Sequence, residues 1–427
     1  MSSSYPDLQP AASLDAAVAV QASFHATYVV PGPIYTLPTE LLQYIFILAL
    51  GSTRIKQNLV AILRVVCRSW YGIIDSNPIF WREIYLCIHS NIKTDREESL
   101  KTRLARYTNF PIEVEIYVGG AAEHNQVCLC GLGRGWCDVL KEYRRSFLQF
   151  LRILAGRNGL HMKRWVAFRI DQYTEWSRYK NVLTSNITDL GKSLNHPTPL
   201  LERLEIWGIS SRNPMFPDAP RLHTVWLKCA ACELQSFKNV RRVRMDCQGE
   251  IPWDLLRNVE ALTIEASENH APDTPMDISF GSLRRLALLG SAHYSLLDLV
   301  KECPLDSLVV RVSHAEHLER IIECLPLEEI KDIVLGGFSK VILFRPHPTG
   351  YPEANQRRQL RAFASKTHGL HNVKLLGQNI VGELNRFGVD TRGVPCYRRT
   401  EGDDPLDDMY SWSEDEDWFF EAARNSM

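Results

Sequence analysis

One short apolar pattern recurs through the second half of the chain and constrains its fold more than any other feature. Seven segments share an apolar-x-x-apolar-x-apolar core: "LLERLEI", "RLHTVWL", "NVRRVRM", "NVEALTI", "SLRRLAL", "PLDSLVV" and "LHNVKLL". The residues that open these cores are Leu201, Leu222, Val240, Val259, Leu283, Leu305 and Leu370. An eighth segment, "LEEIKDIVL", is expected to begin at Leu327. Because side chains two residues apart share a face of a strand, each core predicts a strand with one buried face.

The spacing of these strands predicts a repeat architecture. Successive cores up to Leu327 begin 18 to 24 residues apart, near the period of leucine-rich repeats, in which a strand and a return segment alternate. The Asn or Cys that often follows such a strand is nearly absent, so the repeats are irregular. We therefore predict that residues 87–400 form an irregular leucine-rich-repeat-like solenoid of the α/β or α+β class. A set of unrelated strands in another α/β fold is the alternative.

The residues before the repeats predict three short helices. Pro38 suits the first turn of a helix, where its missing N–H costs nothing, and Leu41, Leu42 and Ile45 follow at helical spacing. A second helix is expected to run from Leu59 to Ile74, and a third to start with Asn77 as its N-cap and Pro78 at its first position. So small a unit offers more large apolar side chains than its own core can use, which indicates a partner surface.

These three pieces, taken in order, resemble the F-box motif. "LPTELLQYIF" matches its opening L-P-x-E-L-L-x-x-I-F, "VCRSW" matches V-C-[KR]-x-W, and Trp81 matches the closing Trp. The insertion "GSTRIKQN" and the Ile79-Phe80 pair before Trp81 depart from the pattern without removing an anchor. We assign residues 33–86 to an F-box by this resemblance. The whole layout is similar to the expanded F-box families of mushroom-forming fungi.

The resemblance implies a substrate receptor of an SCF-type cullin–RING ubiquitin ligase, in which the box binds the adaptor subunit and, through it, the cullin. The matching positions that it assigns to adaptor binding are Leu37, Pro38, Leu41, Leu42, Ile45, Val66, Cys67, Trp70, Pro78 and Trp81. Of these, Ile45 and Val66 are expected to hold the helices together instead. The repeats would capture an unknown target protein in the cytoplasm or nucleus. The alternative is a structural interaction module that binds the adaptor without directing degradation.

The alternation of the strands predicts where a target would bind. The outward positions of three successive strands are Arg203, Glu205, Trp207, Thr224, Trp226, Lys228, Arg242, Arg244 and Asp246. Tryptophan beside arginine is typical of protein interfaces. The candidate target-binding residues are therefore Arg203, Trp207, Trp226, Lys228, Arg242 and Arg244. The alternative is that flanking helices cover the two tryptophans.

The two ends of the chain differ sharply in charge. Residues 1–32 are rich in Ala, Ser and Pro and are expected to be a flexible leader. Residues 401–427 hold ten acids and one Arg, a net of −9, which leaves residues 1–400 with +8 because the total is −1. This acidic tail also carries Trp412, Trp418, Phe419 and Phe420, so we hypothesise that it packs onto the basic repeat face. The body charge is small for a nucleic-acid-binding protein, which makes that function a distant third alternative.

Other functional classes find little support in the sequence. The longest apolar run, Tyr44 to Leu50, is far short of the roughly 20 residues that span a bilayer. No Lys or Arg precedes Arg54, and eleven scattered cysteines are typical of reduced thiols, so we expect an intracellular protein without a membrane partner. His124, Cys128, Cys130 and Cys137 could ligate zinc, but their spacing departs from the usual pairs. We expect no metal, no cofactor and no enzymatic site.

Overall fold

The structure is a computed structural model, and its described residues are 37–51, 56–88, 95–106, 108–118, 138–172, 188–207, 214–228, 239–246, 256–266, 280–290, 294–312, 315–336, 352–376, 378–386 and 388–397. The chain divides into two compact units, Met1–Ser76 and Asn77–Met427. The predicted leader and acidic tail lie outside the described residues.

The first unit contains three described helices: α1 (Thr39–Gly51), α2 (Lys56–Val66) and α3 (Arg68–Ser76). Their buried side chains recur at intervals of three or four residues, as amphipathic helices require. These core residues are Leu42, Phe46, Leu50, Val60, Leu63, Ile73 and Ile74. Phe46 also meets Trp70 edge to face, with ring centroids 4.7 Å apart. The three helices therefore share one small apolar core.

The predicted single helix from Leu59 to Ile74 is wrong, because the chain leaves the helix at Cys67. The Sγ atom of Cys67 accepts a contact from the backbone N–H of Trp70 at 3.5 Å, and its carbonyl accepts the N–H of Tyr71 at 2.9 Å. Cys67 thus stands at the start of α3 in the manner of an N-cap residue. The break turns the second half of the predicted helix into a separate element.

The next predicted element is confirmed as a turn of 3₁₀ helix over Pro78–Trp81. The Asn77 side chain accepts the backbone N–H of Ile79 at 3.1 Å, as an N-cap does. A strand follows at once, so this helix ends after four residues.

The second unit is built on a sheet of twelve strands whose spatial order is their order in the sequence. All the recorded strand pairs are parallel. The strands are β1 (Glu83–Ile88), β2 (Ile112–Val118), β3 (Trp165–Gln172), β4 (Arg203–Trp207), β5 (Thr224–Lys228), β6 (Arg242–Asp246), β7 (Ala261–Ala266), β8 (Arg285–Gly290), β9 (Ser307–Val312), β10 (Asp332–Gly336), β11 (Val373–Leu376) and β12 (Cys396–Tyr397). The helices described in this unit are α4 (Asp95–Arg106), α5 (Asp138–Ala155), α6 (Thr188–Leu194), α7 (Tyr294–Val300), α8 (Ala315–Cys324), α9 (Pro352–Lys366) and α10 (Gln378–Arg386).

The predicted strands are confirmed at all eight repeat segments, and the apolar triplets are buried. In "LEEIKDIVL" the triplet begins at Ile330 rather than at Leu327, because the strand itself starts only at Asp332. One further triplet, Trp165, Phe168 and Ile170 on β3, was missed although it follows the same spacing and is fully buried. These triplets line up from strand to strand and form the apolar core of the unit.

A backbone ladder at the entry to the strands keeps them in register. The residue before each of the strands β5 to β9 donates its N–H to the carbonyl of the corresponding residue one repeat earlier. Glu260 donates to Arg241 at 2.8 Å, Arg284 to Glu260 at 2.9 Å, and Asp306 to Arg284 at 2.7 Å. Because β5 to β9 start at equivalent residues, equivalent side chains form continuous rows across these strands.

The two faces of β8 offer a direct test of this architecture. Leu286 is buried in the core, whereas Leu289 is half-buried on the opposite face of the same strand. Leu286→Ala should lower the free energy of unfolding by about 2–5 kcal/mol, because it leaves a cavity in the core. Leu289→Ala should cost less than about 1 kcal/mol. Urea unfolding followed by circular dichroism measures both, and equal losses would contradict the assigned faces.

Candidate docking surfaces

Helix α1 carries a second apolar stripe beside the one that it buries. Leu41, Tyr44, Ile45 and Leu48 lie on one side of the helix, since each is three or four residues from another member of the group, and between 41% and 60% of each side chain is exposed. Because α1 is apolar on two sides and its unit covers only one, the second side is a surface that suits a protein partner.

Helix α2 continues the exposed apolar character of the first unit. Ile62, Val65 and Val66 are exposed, Val65 to 79%. The guanidinium of Arg64 connects α2 to α3, since it lies 3.2 Å from a carboxylate oxygen of Asp75 and 4.9 Å from the ring centroid of Tyr71. This ion pair orients the two helices and leaves the neighbouring valines at the surface.

The burial of the ten predicted adaptor-binding residues divides them into groups. Pro38, Leu41, Ile45 and Val66 are exposed, Leu42 is buried, and Leu37, Cys67, Trp70, Pro78 and Trp81 are half-buried. The expectation that Ile45 and Val66 close the helical core is wrong, because they are 41% and 46% exposed. Leu42, at 3% exposed, belongs to that core instead, so its side chain is not available at the surface.

Part of this exposed apolar surface was not predicted from the sequence. Tyr44, Leu48, Ile62 and Val65 are exposed apolar side chains that the motif comparison did not single out. The signal was available for α1, because Leu41, Tyr44 and Leu48 stand at helical spacing beside the Leu42–Phe46–Leu50 series.

Trp81 is held in place within the second unit. The guanidinium of Arg103, on α4, lies 5.1 Å from the Trp81 ring centroid and donates to the carbonyl oxygen of Glu83 at 2.6 Å. A cation over an indole face is attracted by the ring quadrupole. The position of this predicted anchor is therefore set by the start of β1 and by α4.

Comparison with known protein families bears on this part of the chain. Residues 34–87 match the F-box-like family model. The chain thus contains an F-box-like domain, and all ten predicted adaptor-binding residues fall within it. A search of curated proteins returns no match.

The second candidate surface is the face of the sheet opposite the apolar core, here called the polar face. Its middle row runs in register across five strands, through Glu115, Arg169, Glu205, Trp226 and Arg244. The row holds four charged side chains of alternating sign and one tryptophan, so neighbours on adjacent strands can pair.

Arg169 is the centre of a charged cluster on the polar face. Its guanidinium lies 3.2 Å from Glu115, 3.4 Å from Glu205 and 3.7 Å from Asp171, measured between the nearest nitrogen and carboxylate oxygen. It also lies 4.8 Å from the ring centroid of Trp207. One buried cation thus faces three carboxylates and one aromatic ring.

Two tryptophans extend the cluster toward β6. Trp207 meets Trp226 edge to face with centroids 4.7 Å apart, and the guanidinium of Arg244 lies 3.9 Å from the Trp226 centroid. Trp226 and Arg244 are half-buried. They therefore form the accessible rim of a packed arrangement.

The burial of the predicted target-binding residues changes the expected surface. Trp207 is only 4% exposed and Glu205 is fully buried, so their predicted outward exposure is wrong. Among the described residues, Arg169 and Trp226, both strand side chains, contact the Trp207 ring. Arg203 and Arg242 are half-buried, and Arg203 lies 3.3 Å from a carboxylate oxygen of Glu113. The side chains of Lys228 and Asp246 lie outside the described residues.

Glu205 has an unusual environment for a carboxylate. Both of its oxygens are buried and lack a hydrogen-bond partner among the described residues. Burial raises the pKa of Glu205 well above its ordinary value, the nearby Arg169 opposes this shift, and Glu115 adds to it. Loss of solvation penalises the charged form of the carboxyl group, which is why its pKa is raised.

Two further classes of site can be assessed in the described part of the chain. There, no group of three or more His, Cys, Asp or Glu side chains is placed to hold a metal ion. The candidate zinc ligands His124, Cys128, Cys130 and Cys137 lie outside it. None of the helices in the same ranges has the length and apolar character needed to cross a bilayer.

The pKa of Glu205 predicts how stability depends on pH. A carboxyl group with a raised folded pKa contributes stability below its unfolded pKa, and this contribution is lost as pH rises through the folded pKa. Relative to wild type, Glu205→Gln should therefore gain free energy of unfolding as pH rises from 5 to 8, by at most about 1.4 kcal/mol per pH unit. Urea midpoints measure this difference.

The half-exposed Glu260 provides the matched control. Glu260→Gln is measured over the same pH range, and the change in the Glu205→Gln difference is judged against it. If the Glu205→Gln and wild-type curves run parallel, Glu205 does not titrate differently in the folded and unfolded states.

Proposed function

We propose that the protein is the substrate-recognition subunit of an SCF-type cullin–RING ubiquitin ligase. The F-box-like match at residues 34–87 is the observation that carries the proposal. In it, the F-box-like domain supplies the adaptor-binding residues, and the sheet of the second unit captures a target protein. Ubiquitin transfer belongs to partner subunits, so the chain itself is not an enzyme and needs no cofactor.

The distribution of apolar residues supports adaptor binding. A three-helix unit that leaves Leu41, Ile45, Leu48 and Val65 exposed needs a partner to cover them. A protein interface of standard size buries roughly 1,200–2,000 Å², and a handful of residues near its centre carry most of the binding energy. We assign that role to Leu41 and Ile45, which stand together on the exposed stripe of α1.

We further propose that the second unit is an irregular leucine-rich-repeat-like solenoid. The strands follow one another in sequential order and pair in parallel, and β3 to β11 carry the same buried triplet, which supports this assignment. In such an array each repeat contacts its neighbours and presents one continuous binding face. The proposed location is the cytoplasm or nucleus, where these ligases act.

Single substitutions on α1 test adaptor binding. Leu41→Glu and Ile45→Glu should each weaken binding of the adaptor about 30-fold or more, because a charge replaces an apolar contact at the centre of the interface. Leu160→Glu is the matched control, since Leu160 is 60% exposed in the second unit. Titration of purified adaptor measures the three affinities.

Mass spectrometry of co-purified proteins then separates the two functional alternatives. Recovery of adaptor together with cullin supports a ligase subunit, whereas adaptor without cullin supports an interaction module outside degradation. Unchanged adaptor affinity in both α1 variants would contradict the assigned interface.

The rim of the polar face is the proposed target-binding site. Trp226→Ala and Arg244→Glu should each remove specific partners from the co-purified set while the adaptor is retained, because the two side chains stack on one another at the accessible rim. Arg284→Glu, an exposed charge change at the entry to β8, should leave the set intact. Melting temperatures confirm folding, and an unaltered set in both rim variants would place the target elsewhere.

A further inference from the structure

The row of the polar face nearest the strand entries has a regular composition. In register across β4 to β9 it reads Arg203, Thr224, Arg242, Ala261, Arg285 and Ser307. An arginine on every second strand alternates with a small residue. We call Arg203, Arg242 and Arg285 the arginine ladder.

The geometry of a parallel sheet sets the spacing of the ladder. Neighbouring strands lie about 4.8 Å apart, so arginines on alternate strands lie about 9.6 Å apart. The short side chains of Thr224 and Ala261 stand between them and are half-buried. An elongated ligand can therefore run across the strands and meet one guanidinium after another.

The electrostatic character of this region is positive. In the first and middle rows of β5 to β9, the described side chains include Arg242, Arg244 and Arg285 and no carboxylate. Among the described side chains of these two rows, the next carboxylates are Glu205 on β4 and Asp332 on β10. This part of the face therefore selects an acidic ligand.

We propose that residues 401–427 of the same chain bind the arginine ladder. This segment has ten acids and one Arg, in clusters "DD", "DD" and "EDED". The inference does not rest on the proposed ligase function, because it uses only the sheet and the composition of the tail. In a ligase subunit, the bound tail would cover the ladder until a target displaced it.

The length of the chain permits this contact. The last described residue, Tyr397, lies on β12. β8, which carries Arg285, is four strand spacings or about 19 Å from β12. β4, which carries Arg203, is eight strand spacings or about 38 Å from β12. Measured from Tyr397, a fully extended chain spans about 20 Å at Asp403 and roughly 58 Å at Glu414. The first acidic pair can thus meet the near end of the ladder and the "EDED" cluster the far end.

Because residues 401–427 belong to the same chain as the arginine ladder, they can occupy it even if their intrinsic affinity is low. A linked segment binds at an effective concentration in the millimolar range when its length matches the span. A separate acidic peptide at micromolar concentration should therefore compete poorly with the attached tail. This difference provides the readout.

The probe is a fluorescein-labelled synthetic peptide of residues 401–427, measured by fluorescence anisotropy with the full chain. A tail-neutral variant of the full chain replaces the acids at 403, 404, 407, 408 and 414–417 with the corresponding amides. The peptide should bind this variant at least about tenfold more tightly than wild type, because the attached tail no longer competes. Salt of about 0.15 M limits attraction that comes only from the changed net charge.

Neighbouring arginines provide a matched control within the tail-neutral variant. Arg242→Gln with Arg285→Gln should weaken peptide binding about tenfold or more, since two rungs of the ladder lose their charge. Arg241→Gln with Arg284→Gln removes the same charge at adjacent positions and should change binding by less than about threefold. Melting temperatures verify folding, and Arg285→Gln alone serves if the double ladder variant unfolds.

Three results would overturn the proposal. Equal peptide binding to wild type and tail-neutral protein would mean that the tail does not occupy the site. No binding to the tail-neutral protein would mean that the ladder takes no acidic segment. Equal loss in the ladder and control pairs would assign the effect to general charge. Adaptor affinity, measured on the same proteins, reports separately on the proposed function.

Discussion

The stacking of the apolar triplets in a parallel register is the constraint on which the second unit depends. Once the first, fourth and sixth residues of each segment face the core, the residues between them must point to the other face. The backbone ladder at Arg241, Glu260, Arg284 and Asp306 then makes β6 to β9 start at equivalent residues. Surface rows such as the arginine ladder are consequences of this register, because no contact between arginines is needed to align them.

The helical unit follows a different rule. Its core contains one stripe of α1, formed by Leu42, Phe46 and Leu50. The exposed apolar residues of the same helix do not pack into that core. Fully burying an apolar side chain contributes about 1.5–3 kcal/mol of favourable free energy. The exposed Leu41 and Ile45 make this contribution only when a partner covers them. Fold stability and partner binding therefore use adjacent stripes of the same helix.

Features that follow from the local alternation of apolar residues can be predicted from the sequence. The burial of a side chain by neighbours from other strands cannot. The buried triplets follow from alternation within six residues, and so the strands are found correctly. Trp207 and Glu205 obey the same alternation, yet they are covered by Arg169 and Trp226, which come from other repeats. In the helical unit, a motif comparison cannot separate Leu42 from Ile45, because one turn of helix carries both stripes.

The charged cluster raises the question of why a binding face would bury Glu205. A buried ion pair rarely adds stability, because desolvation offsets the attraction between its charges. Its effect here is geometric: Arg169 fixes the Trp207 ring, and Trp207 in turn supports Trp226. The polar face thus combines a rigid part on β2–β5 with a positive part on β6–β8. Arg244, stacked on Trp226, belongs to both, so a ligand held by the positive part meets a surface whose shape is already set.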